Sequence, residues 1–157
     1  MDEQPTQEMI DHWTRWFAVE CNNQTWDLAS KEGRTAQDTQ QMLYAAYAAA
    51  YHWSAVGQPL NNARADVTLA HALALAGQGE QAMLYARRCL EYFEKQPATD
   101  WDFAFAHAEV AFAAHVQGDA ILHREYYTKA LESGNAIVDP EERQVFMTEL
   151  ARIPAPE

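Results

Sequence analysis

The spacing of apolar and polar residues predicts a chain of helices joined by short turns. In the first segment, apolar side chains recur at the three- and four-residue spacing of one helical face, at Met9, Ile10, Trp13, Trp16 and Phe17. Glycine and proline interrupt the chain at regular distances, and almost nothing between them favours strands. The pattern predicts seven helices, over about 6–33, 35–56, 59–77, 80–95, 99–118, 119–133 and 139–152. Because the connections are very short, we expect neighbouring helices to pack antiparallel.

One segment imitates a strand. "WDFAFAHAEV" alternates large and small residues with the period of two that is typical of β-structure. At helical spacing the same region gives a continuous stripe of Trp101, Phe105, Ala108, Phe112 and His115. Its alanine content and the glycine that follows favour a helix.

The third to sixth predicted helices contain an internal repeat. When the chain is shifted so that Gly77 falls on Gly118, "LALAGQGEQAMLYARRCLEY" aligns with "AHVQGDAILHREYYTKALES". Leu90 then matches Leu131. Small residues of the first copy, Ala82 and Ala86, stand in the part that follows the glycine.

This arrangement resembles the tetratricopeptide repeat, in which a glycine ends helix A and small residues in helix B let the hairpins stack closely. Large-then-small pairs of helix A stand at 69–70 and 110–111. The chain departs from the family in its longer repeat, with a spacing of about 41 against the usual 34, and in Asp66 and His107 at the tryptophan position. His123 also replaces a small residue. The resemblance covers about residues 58–135.

What the resemblance implies is an all-α, TPR-like stack of antiparallel hairpins in a single domain, 1–157. Residues 6–56 would form a divergent first hairpin, 58–96 and 99–135 two TPR-like units, and 139–152 a capping helix. The layout also resembles small bacterial proteins of this superfamily, which implies a fold and no activity.

In TPR stacks the A helices line a concave groove where ligands usually bind. By that resemblance, the groove would contain carboxylates, amides, one arginine and two histidines above aromatic residues. The candidate binding residues are Asn23, Asp27, Arg64, Thr68, His71, Phe105, Glu109, Phe112 and His115. An ordinary solvated helix face is the alternative interpretation. We expect Glu109 to form an ion pair with Arg64.

The second predicted helix raises a separate question, because "MLYAAYAAAYHWSAVG" contains no charged residue. A helix that is apolar on so many sides is expected to be buried between its neighbours, with Trp53 in the core. We expect His52 at the edge of an interhelical cavity, hydrogen bonded and in contact with the first or third helix, and we include it among the candidate binding residues. Trp13, Trp16 and Phe17 are interpreted as the seam to the next helix, with an aromatic ligand site or a dimer surface as alternatives.

Composition excludes several classes of function. The 157 residues include 11 basic and 23 acidic ones, a net charge of −12, which argues against binding nucleic acids or anionic membranes. Cys21 and Cys89 are far apart and lie among apolar residues, so free thiols and a cytoplasmic location are expected. The acidic start, "MDEQPTQEM", is unlike a signal peptide, and no stretch is typical of a membrane span.

Catalytic and metal-binding patterns are weak. No two of the six histidines are three or four residues apart, the spacing that a helix needs to chelate a metal. His71 and His115 are within about one turn of equivalent positions, and Asp102 and Glu109 share a helix face. The chain contains none of the common hydrolase, phosphate-loop, dinucleotide or metalloprotease signatures. We predict no catalytic residue, no metal site and no cofactor.

The leading hypothesis is therefore a non-enzymatic binding or adaptor module that recognises a peptide or protein partner in its concave groove. One alternative is a small-ligand or metal-binding protein, possibly an enzyme, that uses His71, His115, Glu109 and Arg64. Another is a structural unit that forms a homodimer through its aromatic N-terminal helices.

Overall fold

The computed structural model describes residues 4–157, and this part of the chain forms seven helices and no strand. They are α1 (Gln7–Ala29), α2 (Ala36–Val56), α3 (Pro59–Leu75), α4 (Gly79–Lys95), α5 (Asp100–Gln117), α6 (Ala120–Ala136) and α7 (Pro140–Leu150). The all-α prediction is confirmed, and the helical interpretation of "WDFAFAHAEV" is correct. The first three residues lie outside the described part.

The repeat in the sequence is also a repeat of structure. Helices α4 and α6 are equal in length, and the shift that places Gly77 on Gly118 also places one helix on the other and the start of α3 on the start of α5. The turn within each hairpin is the same. Gly77 and Gly118 both have a left-handed backbone, with φ of 76° and 78°. In both turns the amide after the glycine donates to a carbonyl five residues earlier, Gln78 N–H to Leu73 and Asp119 N–H to Ala114, each at 2.9 Å.

The seven helices pack in two kinds of contact. Each helix packs on the next one along the chain, as their short connections require. In addition the odd-numbered helices touch one another in the order α1, α3, α5, α7, so that they form a row. Helices α3 and α5 are the most enclosed, because four others contact each of them: α1, α2, α4 and α5 contact α3, and α3, α4, α6 and α7 contact α5. The row of odd-numbered helices forms the walls of the cavity described below.

The core is built largely from small side chains. On α1 the residues that are buried are Ala18, Thr25 and Ala29, and on α2 most of them are alanines. Small residues let helix backbones approach closely, so the α1–α2 seam has no room for large rings. Our expectation that Trp13, Trp16 and Phe17 form this seam is therefore wrong, since all three are about half exposed, although Phe17 stacks on His52 of α2 outside the buried seam.

Helix α2 is also less buried than its uncharged sequence predicts. Its buried residues are Met42, Ala45, Ala46 and Ala49, whereas its tyrosines lie in solvent. Trp53 is only partly buried. The helix has one core side instead of several, because α1 and α3 are the helices that pack against it.

Threonine hydroxyls cap two of the helices. Thr6 and Thr99 cap α1 and α5, and Thr99 forms a reciprocal capping box with Asp102. Both cysteines are free thiols, and burial raises the pKa of Cys89 well above its ordinary value. Among the described residues, no helix combines the length and the apolar character needed to cross a membrane.

Candidate functional site

A cavity of about 370 Å³ opens between the odd-numbered helices, and we call it the central cavity. All four of these helices contribute to it, so it is a property of the row and of no single hairpin. Its walls are mainly apolar and aromatic. The lining residues are Asn22, Trp26, Arg64, Val67, Thr68, Trp101, Asp102, Phe105, Val145 and Glu149. A small apolar cavity with a few polar groups is the usual form of a ligand-binding site.

A chain of hydrogen bonds fixes the α1 side of the central cavity. The indole N–H of Trp26 donates to the hydroxyl of Thr68 at 3.1 Å, and that hydroxyl donates to Oδ1 of Asn22 at 2.7 Å. Thr68 is buried, so its single hydroxyl both accepts and donates without help from solvent. Within residues 4–157, Nδ2 of Asn22 has no hydrogen-bond partner. The amide group of Asn22 is therefore held in place with its donors available to a ligand.

An ion pair between α3 and α5 lies at the rim of the central cavity. Nε of Arg64 donates to Oδ1 of Asp102 at 2.8 Å, and Nη2 donates to Oδ2 at 3.2 Å. Asp102 is buried, whereas the Arg64 side chain is 48% exposed. Burial alone would raise the pKa of Asp102, but the hydrogen bonds from Arg64 and Thr99 outweigh it and hold this pKa below its ordinary value. Arg64 keeps further N–H donors on its exposed edge, where an incoming carbonyl or carboxylate could accept them.

A second pair joins the same two helices behind the cavity wall. Nδ1 of His71 lies 2.9 Å and 3.2 Å from the two carboxylate oxygens of Glu109, and both side chains are buried. Burial raises the pKa of Glu109, and the neighbouring His71 offsets part of that shift. The imidazole ring packs on Trp26, with centroids 4.7 Å apart, and against the ring of Phe112 at 5.5 Å. Since Trp26 is a wall of the central cavity, this pair supports the wall from behind.

A wider cleft adjoins the central cavity, and the two share Arg64 and Trp101. We call it the acidic cleft, of about 700 Å³, and its other lining residues are Thr99, Asp100, Ile137, Val138, Asp139, Pro140 and Glu142. Among the described residues, none of its three carboxylates forms a salt bridge. The acids of the central cavity differ in this respect, because Asp102 pairs with Arg64 and Glu149 with Arg152. The electrostatic potential of the joined cavities is therefore negative, and most strongly so at the cleft.

The structure brings three of the predicted binding residues to the central cavity. Arg64, Thr68 and Phe105 line it. On α1 the prediction is wrong by one residue: Asn23 and Asp27 are exposed elsewhere, and the cavity contains Asn22 and Trp26. The spacing of four residues was right, but a single helix gives no means of choosing between neighbouring faces.

Three other predicted residues lie in the core. His71, Glu109 and Phe112 are 4%, 1% and 6% exposed and do not line the central cavity. The predicted Arg64–Glu109 ion pair is wrong, because Arg64 pairs with Asp102, seven residues earlier on α5, and Glu109 pairs with His71. The sequence did contain a signal for these pairs. Residues 64 and 102, like 71 and 109, are 38 apart, so one pairing register explains both.

The remaining two candidates lie elsewhere. His115 is exposed, and its ring lies beside that of His123, with centroids 5.0 Å apart. His123 in turn bonds through Nε2 to the carbonyl of Pro154, in the C-terminal segment, at 2.9 Å. His52 contacts α1 as expected, by stacking on Phe17 at 5.9 Å. Within the described residues its side chain makes no hydrogen bond, so that part of the expectation is wrong.

Residues 4–157 contain no group of three or more His, Cys, Asp or Glu side chains placed to hold a metal ion. Comparison with protein-family models, with curated proteins and with solved structures finds no match to this chain. Any function must therefore be argued from the geometry of the described residues.

Proposed function

We propose that the protein is a TPR-like, non-enzymatic binding module that recognises a peptide segment of a partner protein in the groove formed by its odd-numbered helices. The observation that carries this proposal is the central cavity, which is walled by Trp26, Trp101 and Phe105 and lies between four helices. Its size suits one large apolar side chain of a peptide better than a folded surface.

The polar groups of the groove suit a peptide backbone. The available amide donors of Asn22 and the exposed donors of Arg64 lie on different helices that both line the cavity. A peptide whose apolar side chain enters the cavity would present its carbonyl groups to both. Because both donors are held by hydrogen bonds of their own, little side-chain entropy would be lost on binding.

Charge points to a basic peptide. The acidic cleft continues from the central cavity past Arg64 and contains the carboxylates of Asp100, Asp139 and Glu142. Lysine or arginine residues next to the apolar anchor would reach this cleft. A net charge of −12 would increase the rate at which such a peptide arrives and would make that rate sensitive to salt.

The test is an array of short peptides, each with one Leu, Phe or Trp flanked by lysine, serine or glutamate. We expect binding that follows the order lysine, serine, glutamate, with dissociation constants in the micromolar range that rise with salt. The fluorescence of Trp26 and Trp101 should change on binding, since both rings line the cavity. No binding to any peptide, or tighter binding of the glutamate series, would contradict the proposal.

A variant with a filled cavity tests where the peptide binds, and the same kind of substitution elsewhere is its matched control. Val145 is half exposed at the cavity mouth, so Val145→Trp should occupy the space and lower affinity at least tenfold while the melting temperature stays within a few degrees. Ile121→Trp makes the same kind of change on α6, away from the groove, and should leave affinity unchanged. Equal affinity of the two variants would show that peptides bind elsewhere.

A small apolar ligand is the second candidate, because a volume of about 370 Å³ lies within the range of small-molecule sites. Native mass spectrometry of the freshly purified protein distinguishes the two. A stoichiometric bound compound that is absent from Val145→Trp would favour this second function over peptide recognition.

A further inference from the structure

The outer side of the first hairpin carries a continuous group of exposed rings that the proposed groove does not use. Edge-to-face contacts connect Trp13 to Trp16 at 6.0 Å and Trp16 to Phe17 at 5.1 Å. Phe17 stacks on His52, and the ring of His52 contacts that of Tyr51 at 5.6 Å. The rings therefore continue from α1 to α2. With the two exposed apolar residues before them on α1, we call this set the aromatic face: Met9, Ile10, Trp13, Trp16, Phe17, Tyr51 and His52.

The size of the aromatic face lies at the upper limit of what a monomer commonly exposes. Trp13, Trp16 and Phe17 are 52%, 47% and 46% exposed, and Tyr51 is 72% exposed. Since an aromatic side chain presents roughly 150–250 Å² when fully exposed, the seven residues together expose on the order of 600 Å². Isolated monomers expose apolar patches of at most about 300–600 Å², and each partner in a standard interface buries about 800 Å². The face is therefore large enough to form the centre of an interface.

The distribution of charge on the chain limits which partner can cover the aromatic face. A chain with a net charge of −12 repels its own copy over most of its surface. The aromatic face is different, because none of its seven residues carries a fixed charge and residues 39–56 contain no Asp, Glu, Lys or Arg at all. Glu20 is exposed on the same side of α1, one turn beyond Trp16, but the rings themselves offer a basic partner no carboxylate to pair with. Another uncharged aromatic surface fits it, and the same chain provides one.

The position of the aromatic face in the fold implies an assembly that stops at two copies. Helix α1 is the first of the row of odd-numbered helices, and α7 lies at the other end. Stacked helical arrays need a polar outer surface at each end. At the α7 end Glu141 and Glu142 are exposed, whereas the α1 end exposes the aromatic face between charged residues such as Glu8 and Glu20. Contact between two identical α1 ends closes the assembly at two copies, whereas an α1 end against an α7 end would continue without limit.

From these observations we infer that a second copy of the chain covers the aromatic face, giving a two-fold symmetric homodimer in which the α1–α2 hairpins face each other. The central cavity stays open in this dimer. Phe17 and Trp26 are nine residues, or two and a half turns, apart on α1 and so lie on opposite sides of the helix. This inference is independent of the peptide-binding proposal.

Sedimentation velocity of the full chain over a range of about 1–200 μM tests the inference. We expect twice the mass of one chain at the upper concentrations. The double substitution Trp16→Gln, Phe17→Gln should raise the dissociation constant of the dimer at least tenfold. Leu84→Gln and Ile121→Gln remove apolar residues of α4 and α6 that are more exposed than Trp16 and Phe17, and they should leave the dissociation constant unchanged. A wild-type chain that stays monomeric at every concentration, or a dimer that the double variant leaves intact, overturns the inference.

Two further measurements separate a loss of dimerisation from a loss of folding. Far-UV circular dichroism of the double variant should match the wild type, and Trp13→Gln serves in its place if it does not. The melting temperature of the wild type should rise with protein concentration and that of the variant should not, as expected when only the folded chain dimerises. Sedimentation of monomers with neutral phosphatidylcholine vesicles, or retention of a different protein with no wild-type dimer, would overturn the inference and assign the aromatic face to another occupant.

Discussion

Two pairs of charged or polar side chains join α3 to α5, and they differ mainly in how far water reaches them. Arg64–Asp102 and His71–Glu109 have the same separation along the chain and are seven residues apart along each helix, so both lie on the same side of the helices. The Arg64 side chain is 48% exposed at the cavity rim, whereas the side chains of His71 and Glu109 are 5% and 1% exposed. Water weakens the first pair and leaves its outer donors free for a ligand. A ligand cannot reach the second pair, but removing either of its members leaves the other buried without a partner and so lowers stability.

The largest effect should come from breaking the buried pair. Glu109→Ala leaves the Nδ1 position of His71 without a partner and opens a space in the core, so we expect a loss of about 3 kcal/mol in the free energy of unfolding. Urea denaturation monitored by circular dichroism measures it. Glu94→Ala, an exposed glutamate on α4, is the control and should change stability by less than about 0.5 kcal/mol. A loss below about 1 kcal/mol for Glu109→Ala would mean that this pair behaves like the exposed one.

The rim pair should matter less to stability. Arg64→Ala removes an ion pair that water already screens, and Asp102 keeps its hydrogen bonds with Thr99. We expect a loss of about 1 kcal/mol or less. The same variant should weaken binding of the lysine-flanked peptides, because it removes a donor to the peptide backbone. A stability loss as large as that of Glu109→Ala would contradict the contrast drawn between the two pairs.

Replacing both members of the buried pair should have a still smaller effect. In His71→Leu, Glu109→Leu, two apolar side chains fill the space between Trp26 and Phe112, and no buried group is left unpaired. Such exchanges are often neutral or stabilising, so we expect stability within about 1 kcal/mol of the wild type. Together with the two single leucine variants, this forms a double-mutant cycle that isolates the energy of the pair. If the double variant is as unstable as Glu109→Ala, the loss in the free energy of unfolding comes from altered packing and not from an unpaired buried group.

The smallest effect should be the change with pH in what each pair contributes to the free energy of unfolding. The contributions of the two pairs should change with pH in opposite directions. The pKa of Glu109 is raised in the folded chain, so its stabilising contribution is complete below the ordinary value of 4.5 and is lost as pH rises through the raised pKa. The pKa of Asp102 is lowered, so its contribution is present above the ordinary value of 3.8 and is lost as pH falls through the lowered pKa.

Urea denaturation of Glu109→Gln and Asp102→Asn over about pH 2 to 8 measures both trends. The stability of the wild type relative to Glu109→Gln should fall as pH rises, and its stability relative to Asp102→Asn should fall as pH decreases. Parallel trends for the two variants would contradict the assigned pKa directions.

The sequence was most informative where the chain repeats. The turn glycines predicted where α3 and α5 end, because a residue with a left-handed backbone is rarely anything but glycine. The shift that aligns Gly77 with Gly118 predicted two equivalent units. The resemblance to the tetratricopeptide repeat implied that Arg64, Thr68 and Phe105 line the groove, and they line the central cavity. It implied the same of His71, Glu109 and Phe112, which are buried in the core.

The sequence was least informative on α1, which has no repeat to compare. A stripe of large rings normally indicates a buried side. On this helix Ala18, Thr25 and Ala29 form the seam, since small side chains allow the closest approach, and the rings are left outside. The side facing the cavity was therefore predicted one residue out of register, at Asn23 and Asp27. Which side of a helix is buried depends on its neighbours, and the residues of one helix do not determine it.

Because α5 is enclosed by four helices, its backbone amides should exchange with solvent only when the whole chain unfolds. Among the other helices, the α1–α2 hairpin packs chiefly against α3, so it can open while α5 remains folded. Opening it would remove Asn22 and Trp26 and leave the central cavity with one wall missing. Binding would then depend on a segment that opens before the core does. A ligand that bridges α1 and α5 would close this route, and the slower hydrogen exchange of α1 would report that the cavity is occupied.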